Sequence, residues 1–207
     1  MENKIKVLIA DDHSIVRMGL ASLLNAEPDI EVIGEAENGD VAVTKARELN
    51  PDVVVMDLVM PQKDGSTATA EILDEFPQIK ILLLTTFGTS DGIARALAAG
   101  ASGALMKNTD FNEFVSSIRI VAAGGKAVSK EIEQLMADDP PVHDLTQRQK
   151  DILSSVVRGL TNADIAKQFT IRESSVKDHL TAIFTKLGAA NRSEAISIAL
   201  RKHLLKL

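Results

Sequence analysis

Five short apolar runs separated by amphipathic stretches occupy the first 125 residues, and this pattern constrains the fold more than any other feature. The runs are Ile5–Ala10, Ile30–Ala36, Val53–Met56, Ile79–Leu84 and Gly103–Met106. Several of them lack alternation of polar and apolar residues, which is typical of parallel strands that are covered on both faces. The repeated strand and helix predict right-handed crossovers and an α/β fold with a doubly wound, five-stranded parallel sheet of the flavodoxin type.

The α/β pattern stops at Gly124-Gly125 and gives way to a polar stretch that holds a short helical patch, Lys130–Met136, and then Asp138-Asp139-Pro140-Pro141. Two prolines and two acids are typical of a linker rather than of a core. Beyond this stretch the pattern is helical, with a short helix, a tight turn and a longer helix, as in a helix-turn-helix. We therefore expect one domain at residues 1–125, a linker at 126–143, and a small four-helix all-α domain at 144–207.

The net charge of −6 is unevenly distributed, because residues 1–125 carry −9, residues 126–141 carry −2 and residues 142–207 carry +5. This asymmetry suggests different partners for the two domains, with a basic end suited to nucleic acid. The chain contains no Cys, which excludes disulfides and thiolate metal sites and fits a reducing compartment. No apolar run approaches the roughly 18 residues of a membrane span, and no signal-peptide pattern opens the chain. We expect a cytoplasmic protein without a membrane partner.

Polar side chains follow several of the predicted strands at the point where each strand ends. Asp11 and Asp12 follow the first strand and Asp57 follows the third. Thr85 ends the fourth strand and Lys107 follows the fifth. Since the carboxyl ends of parallel strands meet at one edge of the sheet, we expect these side chains to lie close together.

Three crowded carboxylates repel one another, so a divalent cation is their natural partner, and oxygen ligands suit Mg²⁺. A hydroxyl and an ammonium beside them would neutralise the oxygens of a phosphoryl group carried by an aspartate. Taken singly, an Asp after a strand is usually a turn or helix cap, and a lone Lys is usually solvated. The convergence of five suitable residues favours the phosphoryl site.

These residues lie in segments that resemble the receiver domain of two-component response regulators. The segments are Leu8–His13, Val55–Pro61 with Asp64-Gly65, Leu84-Thr85, and Leu105–Lys107. The resemblance implies that Asp57 is the phosphoacceptor and that Thr85 and Lys107 bind the phosphoryl group. It also implies that Mg²⁺ is held by Asp12, Asp57 and the carbonyl of Val59, with Asp11 acting through water, and that a cognate histidine kinase or a small phosphodonor supplies the phosphate. One departure is Ala104, which stands where the family usually has an aromatic residue.

A narrow apolar stripe in the longer C-terminal helix is formed by Val176, Leu180, Ile183 and Leu187. Asp178 and Thr181 then point away from the core, with Lys177 on the shoulder. This face is either an ordinary solvated surface or one that enters a major groove, where Lys177 would meet phosphate or guanine and Thr181 a base edge or a thymine methyl. The helix alone leaves both interpretations open.

The C-terminal residues resemble the LuxR-type helix-turn-helix, which together with a receiver indicates the NarL/FixJ subfamily. The resemblance rests on Leu145–Arg148, Gly159–Ala166, Ser175–Leu180, Lys186–Gly188 and Asn191-Arg192. It implies binding to a double-stranded DNA operator, with Lys177, Asp178 and Thr181 facing the bases; we add His179 and Arg172 to the predicted DNA-binding set. Three departures are Gln149 in place of a usual Glu, Arg172 in place of a capping Ser, and the negative charge of Asp178.

The last predicted helix, Arg192–Leu204, has two apolar stripes, one of Ala195, Ile198 and Ala199 and one of Ile196, Leu200 and Leu204. One stripe can face the core, and exposure of the other predicts a homodimer on a pair of DNA half-sites. The four histidines, His13, His143, His179 and His203, are scattered and have no Cys companions, so we expect no zinc site.

The favoured function is therefore a phosphorylation-dependent transcription regulator that is not an enzyme. An aspartate-nucleophile phosphatase also uses Asp, Mg²⁺, Thr and Lys, but usually places a second Asp two residues after the nucleophile, where this chain has Val59. A receiver that has lost phosphorylation and only dimerises is the third interpretation. The intact set of Asp11, Asp12, Asp57, Thr85 and Lys107 disfavours it.

Overall fold

The computed structural model describes residues 4–86, 90–142, 145–202 and 204–205, which form two units, Met1–Pro140 and Pro141–Leu207. The strands of the first unit are β1 Ile5–Ala10, β2 Ile30–Ala36, β3 Val53–Met56, β4 Lys80–Thr85, β5 Gly103–Met106 and β6 Ala127–Val128. Its helices are α1 Ser14–Leu24, α2 Gly39–Leu49, α3 Gly65–Glu75, α4 Ser90–Ala98, α5 Phe111–Ala122 and α6 Lys130–Asp138. The second unit contains α7 Gln147–Val157, α8 Asn162–Gln168, α9 Glu173–Leu187 and α10 Arg192–Arg201.

The strands of the first unit form a parallel sheet in the order β2-β1-β3-β4-β5-β6. Apolar side chains alternate between its two faces, so that Leu8 and Ala10 belong to one core and Val7 and Ile9 to the other. Helices cover both faces, which explains why the strands are apolar without alternation. The α/β prediction and four of the five predicted strands agree residue for residue with the structure, and the fourth is shifted by one residue.

The sheet has six strands among the described residues, so the prediction of five is wrong by one short edge strand. Ala127 and Val128 of β6 pair in parallel with Gly103 and Ala104 of β5. Two residues are too few to produce a recognisable apolar pattern, which is why the sequence did not reveal this strand.

Most of the predicted linker at residues 126–143 is also folded, which corrects that boundary. Ser129 caps α6 by accepting a hydrogen bond from the backbone N–H of Ile132. Ile132 is fully buried in the core that lies on one face of the sheet. The first unit therefore extends to Pro140, because burial of Ile132 offsets the polar character of the surrounding sequence.

Short polar signals set the helix ends of the second unit. Thr146 and Gln149 form a capping box at the start of α7, and Thr161 and Asp164 form another at the start of α8. The helix α9 ends at Gly188 in a left-handed conformation (φ 66°), which glycine adopts without steric strain. These helices enclose a hydrophobic core of their own. Among the helices of the described ranges, none could span a membrane.

Candidate functional site

The sheet topology brings four of the predicted polar residues to one edge. β1 lies beside β3, and the backbone N–H of Asp57 donates to the carbonyl of Ala10 at 2.8 Å. β4 lies beside β5, and the N–H of Lys107 donates to the carbonyl of Thr85 at 2.8 Å. Backbone hydrogen bonds between neighbouring strands therefore hold these residues at the carboxyl ends of the strands.

Lys107 bridges the two buried carboxylates of this pocket. Its Nζ lies 2.5 Å from Asp11 Oδ2 and 2.8 Å from Asp57 Oδ2. The Asp11 and Asp57 side chains are only 3% and 5% exposed, so the three charges are largely withdrawn from water. Removing Lys107 would leave two buried carboxylates without a compensating positive charge.

Burial and charge act in opposite directions on the acids and the base of this pocket. Burial raises the pKa of Asp57 above its ordinary value, and Asp11 adds to the rise while Lys107 opposes it. Burial alone would lower the pKa of Lys107, but the hydrogen bonds to Asp11 and Asp57 raise it above its ordinary value. Lys107 therefore remains a fixed positive charge beside Asp57 at neutral pH.

Thr85 contributes a buried hydroxyl that has no hydrogen-bond partner in the described part of the chain. Its side chain is 0% exposed, and its Oγ1 is unsatisfied. Burying a hydroxyl without a partner is unfavourable, so such groups usually indicate strain or a site for a bound group. Thr85 ends β4, and its backbone carbonyl accepts from the N–H of Lys107, so an unpartnered hydroxyl at this strand end is compatible with a bound oxyanion.

Asp12, Val59 and His13 form the solvent side of the pocket. Asp12 is about one-third exposed, and the Val59 side chain is exposed while its N–H approaches Asp57 Oδ1 at 3.4 Å. His13 Nδ1 lies 2.7 Å from Asp12 Oδ1 and 3.3 Å from Asp11 Oδ1. One ligand atom from each of Asp11, Asp12, His13 and Asp57 lies within 4.8 Å of the others.

The donor set fits a hard divalent cation. Three carboxylates supply the oxygen ligands that Mg²⁺ prefers, and the exposed side of the pocket allows the ion to keep waters. The unpartnered Thr85 hydroxyl and the Lys107 ammonium fit the phosphoryl oxygens that such an ion would leave uncovered. The pocket is therefore an acidic cluster whose donor set fits a divalent cation.

Gly65 is a residue of this site whose role the motif alone did not reveal. Its N–H donates to the carbonyl of Leu58 at 3.0 Å, which draws the start of α3 against the segment after β3. A Cβ at Gly65 would overlap the carbonyl oxygen of Asp57 and lie 2.9 Å from its carbonyl carbon. Only glycine allows this approach, so Gly65 fixes the backbone that carries the acceptor.

Ala104, which stands where receiver domains usually have an aromatic residue, is fully buried. It lies in β5 between Leu83 of β4 and Val128 of β6, and its carbonyl accepts from the N–H of Ser129 at 3.0 Å. The small side chain belongs to the core beneath α4 and α6. The position thus packs the edge of the sheet and carries no aromatic ring.

The second candidate surface is the face of α9 that points away from the core. Val176, Leu180, Ile183 and Leu187 are all buried, as the apolar stripe predicted. At about 100° per residue, Asp178 and Thr181 lie opposite this stripe, and Lys177 lies at its flank. All three side chains are exposed, and the Thr181 hydroxyl donates to the carbonyl of Lys177 at 3.0 Å.

His179 and Arg172 differ from the other predicted DNA-binding residues. His179 is half-buried on the flank of α9 opposite Lys177, whereas Arg172 is exposed and precedes the helix. Arg172 has the extended N-cap conformation but makes no side-chain capping hydrogen bond. Gln149, which stands where the family usually has Glu, completes the capping box with Thr146 and also accepts from Lys186 Nζ at 3.0 Å. His143 and His203 lie outside the described residues.

Comparison with known proteins identifies both units. Residues 7–119 match the response regulator receiver domain, and residues 143–199 match the bacterial regulatory proteins of the luxR family. The chain is similar to the transcriptional regulatory protein LiaR of Bacillus subtilis, with 40% identity over 97% of this chain and 99% of that protein. It is also similar to the response regulator protein VraR of Staphylococcus aureus, with 36% identity over 98% and 99% of the two chains.

A solved structure supports the same assignment over both units. The crystal structure of the response regulator ChrA, of a heme-sensing two-component system, is 35% identical and has a TM-score of 0.58. The likeness covers 98% of this chain and all of ChrA. The two family matches and the whole-length relatives agree with the acidic pocket and the helix-turn-helix described above. The chain therefore belongs to the two-component response regulators, with a receiver domain followed by a LuxR-type DNA-binding domain.

Proposed function

We propose that Asp57 is the phosphoacceptor of this regulator and that Mg²⁺ is held by Asp11, Asp12, Asp57 and the Val59 carbonyl. The observation that carries the proposal is the bridge from Lys107 Nζ to the buried oxygens of Asp11 and Asp57, at 2.5 and 2.8 Å. Such a bridge keeps a positive charge beside the oxygens that receive the phosphoryl group. Mg²⁺, when bound, supplies a further positive charge against the transferred oxygens.

In the transfer step a carboxylate oxygen of Asp57 forms the new bond to phosphorus. The bond from phosphorus to the donor breaks at the same time, and its electron pair leaves with a kinase imidazole nitrogen or with the acetate of acetyl phosphate. Lys107 moves from the carboxylate to a phosphoryl oxygen, and the unpartnered Thr85 hydroxyl donates to another. Phosphorylation therefore replaces an ion pair with a network that includes Thr85.

The direct test is intact mass after incubation with acetyl phosphate and Mg²⁺. We expect one added phosphoryl group on the wild type, none on Asp57→Asn and none in the presence of a chelator. Asp64→Asn is the matched control, because Asp64 caps α3 and is not an acceptor in this scheme. Equal labelling of the wild type and Asp57→Asn would contradict the assignment.

We further propose that α9 enters the major groove of operator DNA. Lys177, Asp178 and Thr181 share its exposed side, and Arg172 lies where the helix begins. Since the Thr181 hydroxyl already donates to the helix backbone, it can accept from a base amino group or present its methyl to thymine. His179 reaches the DNA from the flank only, so we expect it to contact the sugar-phosphate backbone.

The final part of the proposal is a homodimer on paired half-sites through α10. Ala195, Ile198 and Ala199 are buried in the domain core, whereas Leu200 is 45% exposed. Ile196 and Leu204 are half-buried, so the second stripe is exposed mainly at its centre. Sedimentation on a duplex with two half-sites tests this: Leu200→Asp should yield one chain per duplex, and Arg201→Asp is the neighbouring control.

A further inference from the structure

Arg17 of α1 donates a side-chain hydrogen bond to the backbone of the acidic pocket. Its Nη1 lies 2.7 Å from the carbonyl oxygen of Asp11, the residue that follows β1. The same guanidinium lies beside Glu35 of β2, with 3.4 Å between Arg17 Nε and Glu35 Oε2. The Arg17 side chain is only 14% exposed, so these two partners take the place of water around its charge.

The Asp11 carbonyl lies just past the hydrogen-bond ladder of the sheet. The N–H of Asp11 donates to the carbonyl of Ala36 in β2, and the carbonyl of Ala10 accepts from the N–H of Asp57. One residue further along, the donor to the Asp11 carbonyl is a side chain. A hydrogen bond from an ionised donor is stronger than one between neutral groups, so Arg17 holds this carbonyl in a defined direction.

The peptide unit that Arg17 holds is the one that joins Asp11 to Asp12. Because a peptide bond is planar, orienting its carbonyl also orients the nitrogen and the Cα of the next residue. The ψ torsion of Asp11 and the φ torsion of Asp12 flank this plane. These two torsions decide how the two acidic side chains are directed relative to each other, so Arg17 acts on both carboxylates through the backbone.

The two carboxylates depend on this peptide unit to different degrees. The Asp11 carboxylate is also held by Lys107 Nζ at 2.5 Å and by the backbone N–H of His13 at 2.8 Å. The Asp12 carboxylate is 32% exposed and contacts the ring of His13, which is itself 68% exposed. Asp12 therefore relies more on the backbone for its position, and loss of the Arg17 hydrogen bond should displace Asp12 more than Asp11.

We propose that Arg17 is a positioning residue of the acidic pocket, which directs the Asp12 carboxylate toward the cation by holding the peptide between Asp11 and Asp12. The inference rests on the proposed cation site, and it adds a residue that is neither a ligand of the cation nor a partner of the phosphoryl group.

The direction of the effect separates positioning from a simple effect of charge. A positive charge near the pocket repels a divalent cation. Removing the Arg17 charge would by itself tighten cation binding, whereas losing the hydrogen bond to the Asp11 carbonyl should weaken it. Groups that orient metal ligands typically contribute about 10–100-fold to metal affinity, so we expect the loss of positioning to dominate.

The test uses the full chain, with Mg²⁺ as the probe. Isothermal titration calorimetry gives the Mg²⁺ dissociation constant, and intact mass gives the rate of labelling by acetyl phosphate at saturating Mg²⁺. Arg17→Met removes all the donors, whereas Arg17→Lys keeps the charge but lacks the planar fork that serves both partners. Arg47→Met is the matched control, because Arg47 of α2 forms an ion pair with Glu75. Urea unfolding without Mg²⁺ records the stability of each variant.

We expect the Mg²⁺ dissociation constant to rise about tenfold in Arg17→Met, to rise less in Arg17→Lys, and to stay unchanged in Arg47→Met. The labelling rate at saturating Mg²⁺ should change little, since Asp57 and its other partners remain. A purely structural role of Arg17 would lower the free energy of unfolding and leave the dissociation constant of the folded protein unchanged.

Unchanged or tighter Mg²⁺ binding by folded Arg17→Met would overturn the inference. If that variant does not fold, wild-type affinity in Arg17→Lys would overturn it instead. Wild-type protein that binds Mg²⁺ but is not labelled would contradict only the assignment of Asp57 as acceptor, and the dissociation constants would still decide the role of Arg17. Absence of Mg²⁺ binding by the wild type would contradict both proposals.

Discussion

The acidic pocket and the exposed face of α9 build function from similar residue types in opposite ways. In the pocket, Lys107 is 11% exposed and lies within 2.8 Å of two buried carboxylates. On α9, Lys177 is 66% exposed, and its Nζ lies 3.9 Å from Glu173 Oε1. The fold holds Lys107 in position before any ligand binds, whereas the exposed Lys177 side chain can change its contacts when a partner binds.

This difference separates residues whose function is coupled to folding from residues whose function depends on a partner. Charges in the pocket were desolvated when the domain folded, so each substitution changes both stability and chemistry. Charges on α9 remain hydrated, and their substitution changes binding with little effect on the fold. We therefore expect substitutions in the pocket to lower the stability of the fold, and substitutions on the exposed face of α9 to leave it nearly unchanged.

Replacing the two lysines by methionine tests this comparison with the largest expected effect. Lys107→Met leaves two carboxylates facing each other in a buried site, so we expect a loss of about 3–5 kcal/mol in the free energy of unfolding. Lys177→Met should stay within about 0.5 kcal/mol of the wild type. Urea unfolding followed by far-ultraviolet circular dichroism measures both, and Mg²⁺ should restore part of the stability of Lys107→Met only. Equal losses for the two variants would remove the distinction.

Gly65 provides the second test, because its constraint is geometric rather than electrostatic. In Gly65→Ala the added methyl meets the Asp57 carbonyl, so we expect a loss of about 1–3 kcal/mol from overpacking and slower labelling by acetyl phosphate. Gly19→Ala is the control, since nothing lies within 4 Å of a Cβ there. In the middle of α1 it should stabilise the unit by about 0.5–1 kcal/mol. Wild-type labelling rates in Gly65→Ala would show that the loop adapts.

Changes of charge on the exposed face of α9 should alter the affinity for DNA rather than the stability of the fold. Lys177→Ala loses a phosphate or guanine contact and should weaken operator binding by about 1–3 kcal/mol if the contact is bidentate. Asp178→Ala removes a repulsion and should tighten binding to non-specific duplex, with a dependence on salt. Fluorescence anisotropy over a salt series measures both. Equal weakening of non-specific binding by the two variants would contradict the proposed orientation of α9.

The same contrast explains how much could be predicted from the sequence. Strands covered on both faces leave continuous apolar runs, and the chemistry at their ends follows from the topology of a parallel sheet, so Asp11, Asp57, Thr85 and Lys107 were accessible to prediction. The two-residue strand β6 left no pattern. The helical patch at Lys130–Met136 was predicted, but the acids and prolines after it led to its assignment to a linker, whereas tertiary packing makes it part of the first unit.

Other features depend on three-dimensional distances that no spacing encodes. The approach of Gly65 to the Asp57 carbonyl and the turn of His13 toward Asp12 involve single atoms rather than periodic patterns. The unpartnered Thr85 hydroxyl likewise became visible only when its neighbours were placed. The sequence thus predicted which strand ends come together, and the structure added the individual atomic contacts.

The smallest expected effect concerns Arg172, a position at which one substitution should change both the stability of the fold and the binding of DNA. Arg172 has the extended backbone of an N-cap (φ −76°, ψ 149°) but gives α9 no side-chain hydrogen bond. A serine there can accept from the backbone N–H groups of the first turn and also removes a positive charge from the helix start. Arg172→Ser should therefore stabilise the second unit by about 1 kcal/mol.

The same substitution removes an exposed cation from the start of the proposed DNA-reading helix. We expect Arg172→Ser to bind DNA more weakly and with a shallower salt dependence, since one phosphate contact is lost. Arg172→Ala is the control, because it removes the charge without providing a cap and should weaken DNA binding without stabilising the fold. Thermal unfolding and anisotropy titrations on both variants separate the two effects. If Arg172→Ser gained stability and kept full affinity, Arg172 would have no role on DNA, and the missing cap would have to be explained in another way.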